Sequence, residues 1–354
     1  MSFDLIRNLL VGISKSNEQR AADVTELLPS IGNVLNLKSN SYGEEIGAEG
    51  AKALSTSLPM MTSLVTLNLN YNNIGAEGAK ALSTALPMMT SLVTLDLGYN
   101  YIGAEGAKAL STALPMMTSL VTLDLGYNYI GDEGIKALST TLHMLTSLVT
   151  LDLSNNIIDD DGAKALSTVL PMMNWLVTLN LCCNDIGTEG AKALSAALPM
   201  MTSLITLKLN RNLIGDDGAK ALSTALPMMT SLVTLDLCDN KIGADGTNAL
   251  SNTLINNFSL VTFLFRSFDL DWSLYDKTAR ASIRSSLERN RVLGVDRQLR
   301  EQRWVRRRYL MLTAKTLSGS LPLTAADGSL IPVVTAIRTV FGIEGIVRYL
   351  AAYL

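Results

Sequence analysis

The sequence predicts an α/β solenoid, a stack of short repeated units with an inner parallel β-sheet and outer α-helices. A unit of 28 residues recurs almost unchanged, and its asparagine returns at the same spacing seven times. Within each unit, a stretch of alternating apolar residues precedes a stretch with helical periodicity. The repeated asparagines are Asn72, Asn100, Asn128, Asn156, Asn184, Asn212 and Asn240.

The copy that begins at Leu92 shows how each half of the unit is expected to fold. Leu95 and Leu97 alternate with polar residues, which is typical of a short half-buried strand. Apolar residues at i, i+3 and i+7 then predict one buried helix face, formed by Ala107, Leu110 and Leu114. Proline cannot donate a backbone hydrogen bond, so we expect Pro115 to end the helix.

One unit alone cannot bury its apolar face, but stacked units can, with strand beside strand and helix beside helix. The strands must then be parallel, and the wider helices predict a stack that curves with the strands inside. The asparagine lies where each strand turns away. Its amide is expected to bond free backbone groups within and between units, which makes this column structural.

The frame Leu-x-x-Leu-x-Leu-x-x-Asn-x-Ile and the helix start GAEGAKAL resemble the leucine-rich repeats of the ribonuclease-inhibitor type. The resemblance covers roughly Ala22 to Leu270 and implies a horseshoe with an inner sheet and an outer helical layer. That family includes inhibitors, GTPase activators and sensor domains of immune receptors. The resemblance therefore indicates the fold more closely than the function.

The sequence divides into a helical N-terminal cap at 1–28, repeats at 29–270 and a helical C-terminal capping region at 271–354. Capping is expected because the open ends of a solenoid need a polar outer side. Four extra residues are inserted within 41–45, in a loop that is either tolerated growth or a contact loop. The stretch 297–315 is strongly basic, and contact with nucleic acid or anionic lipid is a weaker alternative there to a solvated helix face.

No catalytic, metal or cofactor site is expected. The chain has one histidine, His143, at a helix-end position that holds proline in most units, which excludes a Ser-His-Asp arrangement elsewhere. The GAEGAK stretch lacks the spacing of a phosphate-binding loop and recurs in nearly every unit, so its glycines indicate close packing. The methionine pairs, such as Met60 and Met61, are interpreted as core or loop-filling residues.

The three cysteines, Cys182, Cys183 and Cys238, predict free thiols and a reducing, cytoplasmic compartment. Cys182 and Cys238 occupy the same column two units apart, about 10 Å, which exceeds the Cα separation of a disulfide. We see no secretory signal and no apolar run long enough to span a membrane.

Equivalent positions of successive units form columns, and the columns whose residues differ between units indicate the surface that contacts a partner. Five of the ten tyrosines fall in the columns just before and just after the asparagine, over three consecutive units, and three aspartates run beside them. The predicted partner-binding residues are Tyr71, Tyr99, Tyr101, Tyr127, Tyr129, Asp96, Asp124, Asp152, Lys208 and Arg211. Tyrosine is favoured in binding hot spots, and the carboxylates favour a basic partner segment. Stacked tyrosines that only shield the sheet edge are the structural alternative.

These observations predict a non-enzymatic scaffold that binds a protein partner on the concave face. A GTPase-activating protein of the leucine-rich-repeat type is the alternative that the resemblance allows. No residue here matches a GTPase-activating motif well enough for a catalytic role to be assigned.

Overall fold

A computed structural model describes residues 3–11, 19, 22–23, 26–27, 32–39, 44–257, 259–264 and 281–290. The chain divides into two units, Met1–Tyr309 and Leu310–Leu354. The second unit lies outside the described residues, as does the basic stretch 297–315.

In the described part of the chain, nine strands form one parallel sheet in sequence order. Each strand has three residues and ends about one residue earlier than the sequence predicts. The strands are β1 Val34–Asn36, β2 Thr66–Asn68, β3 Thr94–Asp96, β4 Thr122–Asp124, β5 Thr150–Asp152, β6 Thr178–Asn180, β7 Thr206–Lys208, β8 Thr234–Asp236 and β9 Thr262–Leu264.

A helix follows each strand from β1 to β8, and a further helix precedes β1. The helices are α1 Phe3–Val11, α2 Gly47–Ser57, α3 Gly75–Ala85, α4 Gly103–Ala113, α5 Gly131–Ser139, α6 Asp160–Val169, α7 Thr188–Ala197, α8 Gly215–Ala225 and α9 Ala244–Leu254. Residues 281–290 are also helical and are called α10 here. The α/β solenoid predicted from the repeats is thus confirmed.

The strands pair without any shift in register, so each repeated column lies straight across the sheet. Leu95 and its equivalents point to the helices and are buried, while Thr94 and Asp96 lie on the opposite face and stay partly exposed. This alternation follows from the two-residue period of a strand. The variable column of Asp96 thus lies on the sheet face that the helices leave open, whereas the columns on either side of the asparagine lie in the turns that follow the strands.

The helices pack side by side through small residues. A Cβ added at Gly106 would lie 2.6 Å from Ile102 Cγ2 and 3.1 Å from Ala79 Cβ in the preceding helix. Ala107, Leu110 and Leu114 are each at most 1% exposed, as the periodicity predicts. The recurring glycine therefore permits close helix packing rather than phosphate binding.

A short 3-10 turn follows each of the helices α2 to α8. Where it contains a proline, that proline is the second residue, as in Leu114–Met116. The α-helix ends at Ala113 although Leu114 keeps helical backbone angles, because Pro115 has no N–H to donate to the preceding turn. The turn separates the methionine pair, since Met60 is 67% exposed whereas Met61 is 5% exposed. Core packing thus describes only the second methionine of each pair.

The asparagine column joins successive units, as the sequence predicts. Asn128 Oδ1 accepts hydrogen bonds from the backbone N–H of Asn100, at 3.0 Å, and of Ile102, at 3.3 Å. Its Nδ2 donates to the carbonyl oxygens of Leu97, Leu125 and Gly126 at 2.9–3.0 Å. One buried side chain thereby satisfies five backbone groups from two units.

The junction before each helix takes one of two forms. Where the preceding unit carries Ala104, the junction residue Gly131 has a φ of +60° and donates its N–H to the Asn156 carbonyl. Where it carries Asp132, the junction residue Asp159 has a φ of −100°, and its N–H donates to Asp132 Oδ1 at 3.0 Å. This second form of the junction was not predicted from the sequence.

Helix α10 packs against the last units. Asn290 is fully buried and donates to the carbonyl oxygens of Asn257, at 2.9 Å, and Leu260, at 2.7 Å. Arg289 donates to the Ile255 carbonyl at 2.7 Å. Both side chains satisfy carbonyl groups that follow α9. The capping role of the region 271–354 and its limits stay a prediction.

Candidate functional site

Three of the predicted tyrosines form one stacked row. The ring centroids of Tyr71 and Tyr99 are 3.9 Å apart, and those of Tyr99 and Tyr127 are 3.8 Å apart. The rings are parallel to within 13°. The in-register strands produce this stack, because the tyrosines follow equivalent positions of β2, β3 and β4. We call it the inner tyrosine row.

A second pair of tyrosines, the outer tyrosine row, lies beyond the asparagine column. Tyr101 and Tyr129 have centroids 5.6 Å apart and rings within 10° of parallel. They are 60% and 55% exposed, against 42% for Tyr71. The two rows therefore differ in packing, since the inner row is tightly stacked and the outer row is looser and open to solvent.

The central phenol of the inner row keeps its proton at neutral pH. Burial of the ring, together with hydrogen bonding to Tyr127 and Tyr71, raises the pKa of Tyr99 above its usual range. A protonated phenol both donates and accepts hydrogen bonds. Tyr99 thus offers a neutral hydroxyl group rather than a charge.

Both rows line one cavity of about 740 Å³. Besides the five tyrosines, its lining consists of Lys38, Ser39, Glu45, Asn73 and Asn155. The Lys38 ammonium lies 5.5 Å from the centroid of the Tyr71 ring, within the range of a cation–π contact. The loop after β1, which carries the insertion within 41–45, thus places Glu45 at one end of the cavity.

The backbone of both tyrosine rows is left-handed. Tyr71, Tyr99 and Tyr127 have φ values of +57° to +59°, and Tyr101 and Tyr129 both have +54°. A non-glycine residue in this region costs about 1–2 kcal/mol. Asparagine tolerates it better, and Asn155 and Asn73 hold the same columns in neighbouring units. The tight turns around the asparagine thus fix the direction of both rows.

The predicted aspartates are the last residues of their strands and do not line the cavity, which is formed by the turns that follow. Asp96 Oδ1 accepts from the Gly98 N–H at 3.0 Å and from Asn70 Nδ2 at 2.9 Å. Asp124 Oδ1 accepts from the Gly126 N–H at 2.8 Å. Each carboxylate thus closes the turn after its own strand, a structural role that the sequence analysis did not assign.

The surroundings of Asp124 disfavour the charged form of its carboxyl group. Its partial burial and the neighbouring carboxylates of Asp152 and Asp96 raise its pKa to about 7, against the lowering effect of the Gly126 N–H. Strand pairing places these two carboxylates on either side of Asp124. This row of three aspartates is therefore less negative near neutral pH than the sequence indicates.

Besides the three aspartates, two further predicted partner-binding residues lie outside the cavity. Lys208 is exposed on β7, and Arg211 is paired with Asp239 at 3.8 Å. Both belong to a unit beyond Asn155, where the cavity ends. Conversely, Lys38, Ser39 and Glu45 were missed, because they belong to the irregular first unit. The insertion within 41–45 was the only feature of the sequence that could have indicated these three residues.

Other site types have no support in the described part of the chain. It contains no group of three or more His, Cys, Asp and Glu side chains that could hold a metal ion. None of its helices combines the length and apolar character needed to cross a membrane. Cys182, Cys183 and Cys238 are free thiols. His143 lies in the 3-10 turn Leu142–Met144, the helix-end position expected from the sequence.

Comparison with known proteins gives one sequence family. A family model described as Leucine Rich repeat matches seven segments between residues 61 and 251. They are 61–83, 89–111, 117–139, 145–167, 173–195, 201–223 and 229–251. No curated protein sequence matches the chain.

Two solved structures have related backbones. The structure titled Leiomodin-1 Actin-Binding Site 2 is 19% identical, with a TM-score of 0.40, over 48% of this chain and 94% of that one. The Caenorhabditis elegans tropomodulin C-terminal domain is 19% identical, with a TM-score of 0.31, over 48% of this chain and 86% of that one. Similarity at this level does not bear on what this chain binds.

Proposed function

This chain is a leucine-rich-repeat protein, and we therefore propose that it is a non-enzymatic scaffold that binds a partner protein through its two tyrosine rows. One observation carries the proposal: all five clustered tyrosines line a single cavity formed by the turns that follow the strands. The ribonuclease-inhibitor subtype, the concave curvature of the sheet and the binding of a partner on its concave face stay predictions from the sequence.

The side chains of the two rows suit protein recognition. Tyrosine combines a large apolar ring with a polar hydroxyl and is enriched among residues that dominate binding energy. Tyr101 and Tyr129 expose more than half of their surface. The adjoining strands are hydrogen-bonded on both sides, so a partner meets side chains here rather than a free strand edge.

The backbone conformation gives further support. Asparagine at position 99 or 127 would meet the same turn with less strain, as Asn155 does one unit further on. The backbone conformation alone therefore favours asparagine over tyrosine at these positions. Arg211 and Ile157 share this conformation, so the clustering of the rings, and not the strain alone, indicates a site.

The test uses asparagine as a matched replacement. We expect the double change Tyr99→Asn and Tyr127→Asn to abolish recovery of partners captured by the wild-type chain, because it removes two rings while keeping a residue that fits the turn. The control is Cys183→Asn, in the same column and backbone conformation but outside the cavity. Equal recovery by all three proteins would refute the proposal.

GTPase activation stays the alternative, and no observation on the described residues favours it. GTP hydrolysis by small GTPases, measured with and without the chain, separates the two functions, since a scaffold leaves the rate unchanged. We also propose an intracellular location, which the free thiols support. Contact of the stretch 297–315 with nucleic acid or lipid stays a weaker proposal.

A further inference from the structure

The cavity is lined by residues of five consecutive units, so it extends along the stacking direction. The two tyrosine rows lie one residue to either side of the buried asparagine column, so they form parallel walls across several strands. Lys38 and Glu45 lie at one end, and Asn155 lies at the other. Tyr71 and Asn155 hold the same column three units apart. Three strand spacings amount to about 15 Å.

The walls carry hydroxyl donors and almost no net charge. The ionisable lining residues other than tyrosine are Lys38 and Glu45, whose charges oppose each other. The Lys38 ammonium already lies over the Tyr71 ring. Asp96, Asp124 and Asp152 are absent from the lining. The cavity therefore lacks the excess negative charge that would favour the basic segment expected from the sequence.

The hydroxyl groups of Tyr101 and Tyr129 can donate to acceptors on the partner, whereas those of the inner tyrosine row already hydrogen-bond to one another. A helical partner uses its carbonyl groups internally, and an added strand needs an open sheet edge, which this region does not have. A polyproline II segment has no internal hydrogen bonds, so its carbonyl oxygens are free. Grooves lined by aromatic side chains are a recurring site for such segments, because their low conformational entropy reduces the cost of binding.

We propose that the cavity between the two tyrosine rows binds a proline-rich segment of the partner protein in the polyproline II conformation. At 3.1 Å per residue, about five residues fill the length of the cavity. The proline rings pack against the tyrosine rings, and the hydroxyls of Tyr101 and Tyr129 donate to carbonyl oxygens of the segment. This inference rests on the proposed function of the tyrosine rows and specifies what they bind.

The test measures binding of three labelled ten-residue peptides to the full chain by fluorescence anisotropy. One peptide is proline-rich, one contains only glycine and serine, and one is lysine-rich. We expect saturable binding of the proline-rich peptide, at least about tenfold tighter than that of the other two. Tighter binding of the lysine-rich peptide would overturn the proposal in favour of a basic partner, and equal binding of all three would also overturn it.

Two variants locate the binding. Tyr101→Asn with Tyr129→Asn, matched to Asn73 in the same column, should weaken proline-rich binding about tenfold or more. Lys241→Asn, also in that column but outside the cavity, should leave it unchanged. If partner capture depends on Tyr99 and Tyr127 but no proline-rich peptide binds, this inference fails and the proposed function stands. If capture is independent of the tyrosines, both fail.

Discussion

At the scale of single residues, the carboxylate of Asp124 lies between two others on adjacent strands. Its pKa is raised to about 7 by burial and by Asp152 and Asp96. A carboxyl group whose folded pKa exceeds its unfolded value binds more protons in the folded state. Its contribution to stability is therefore complete below about pH 4 and is lost as the pH rises through about 7.

We accordingly expect Asp124→Asn to stabilise the fold at pH 8 and to have little effect at pH 4. Asparagine fits this column, because Asn180 Oδ1 accepts from the Cys182 N–H in the same way at 3.1 Å. The gain is bounded by about 1.4 kcal/mol for each unit of pKa shift. Urea unfolding at both pH values measures it. Asp236→Asn is the control, since Lys208 and Leu264 flank Asp236 in the sheet. A gain that does not depend on pH would contradict the account.

A second residue-scale feature couples neighbouring units. The Asp132 carboxylate accepts from the N–H groups of Asp159 and Gly162, both at 3.0 Å. Asp160 makes the equivalent bonds to Gly187 and Gly190 in the next unit. In both cases the junction residue has a negative φ, whereas junctions that follow an alanine have glycine at positive φ. The aspartate thus removes the need for glycine, which explains why position 159 tolerates aspartate.

This coupling predicts a non-additive pair of changes. Asp132→Ala should lower the free energy of unfolding by about 1–2 kcal/mol, as the loss of a helix cap does. Adding Asp159→Gly to that variant should recover part of the loss, because glycine can adopt the alternative junction. In the wild-type background Asp159→Gly should be destabilising. A double-mutant cycle by urea unfolding measures the coupling, and a coupling energy of zero would exclude it.

At the scale of structural elements, the asparagine column links each strand turn to the next. Asn128 bonds five backbone groups, whereas Asn240 bonds the carbonyls of Leu209, Leu237 and Cys238 through Nδ2 only. Within the described residues, Asn240 Oδ1 has no partner. The column is therefore complete at Asn128 and incomplete at Asn240, near the last unit.

This difference predicts unequal effects of the same substitution. Asn128→Ala leaves two additional N–H groups unsatisfied, those of Asn100 and Ile102, and each costs about 1–3 kcal/mol. Asn128→Ala should therefore lower the unfolding midpoint in urea more than Asn240→Ala does. An equal loss from both variants would show that the asparagine carbonyl contributes little.

The helices and strands were predictable from the sequence, because the spacing of apolar residues changes within each unit from that of a strand to that of a helix. Leu95 and Leu97 mark a strand, and Ala107, Leu110 and Leu114 mark a helix face, and all five are buried. The two junction forms were not predictable in the same way, because they depend on a carboxylate from the preceding unit. The signal in the sequence is the aspartate that replaces alanine in the preceding unit, as at Asp132 and Asp160.

The candidate site was predictable in part. Repeated columns must align when strands stack in register, so Tyr99 and Tyr127 could be placed together from spacing alone. The roles of Asp96, Asp124 and Asp152 were less accessible, since these carboxylates fold back onto backbone N–H groups. Lys38 and Glu45 were not predicted, because the first unit departs from the 28-residue spacing of the others.

At the scale of the whole molecule, the repeats display one variable surface, and the tyrosine rows occupy one stretch of it. The unit that carries Lys208 and Arg211 presents different side chains in the same columns. Binding energy should therefore concentrate between Lys38 and Asn155 rather than spread along all the units. The N-terminal part of the repeat array is expected to determine partner choice.

The most direct test of this account is site-specific photo-crosslinking on the full chain. A benzophenone amino acid replaces Tyr129 in one protein and Lys241 in another, two positions of the same column with φ values of +54° and +53°. The account predicts that a captured partner crosslinks at position 129 and not at position 241. Crosslinking at position 241 alone, or equally at both positions, would contradict it.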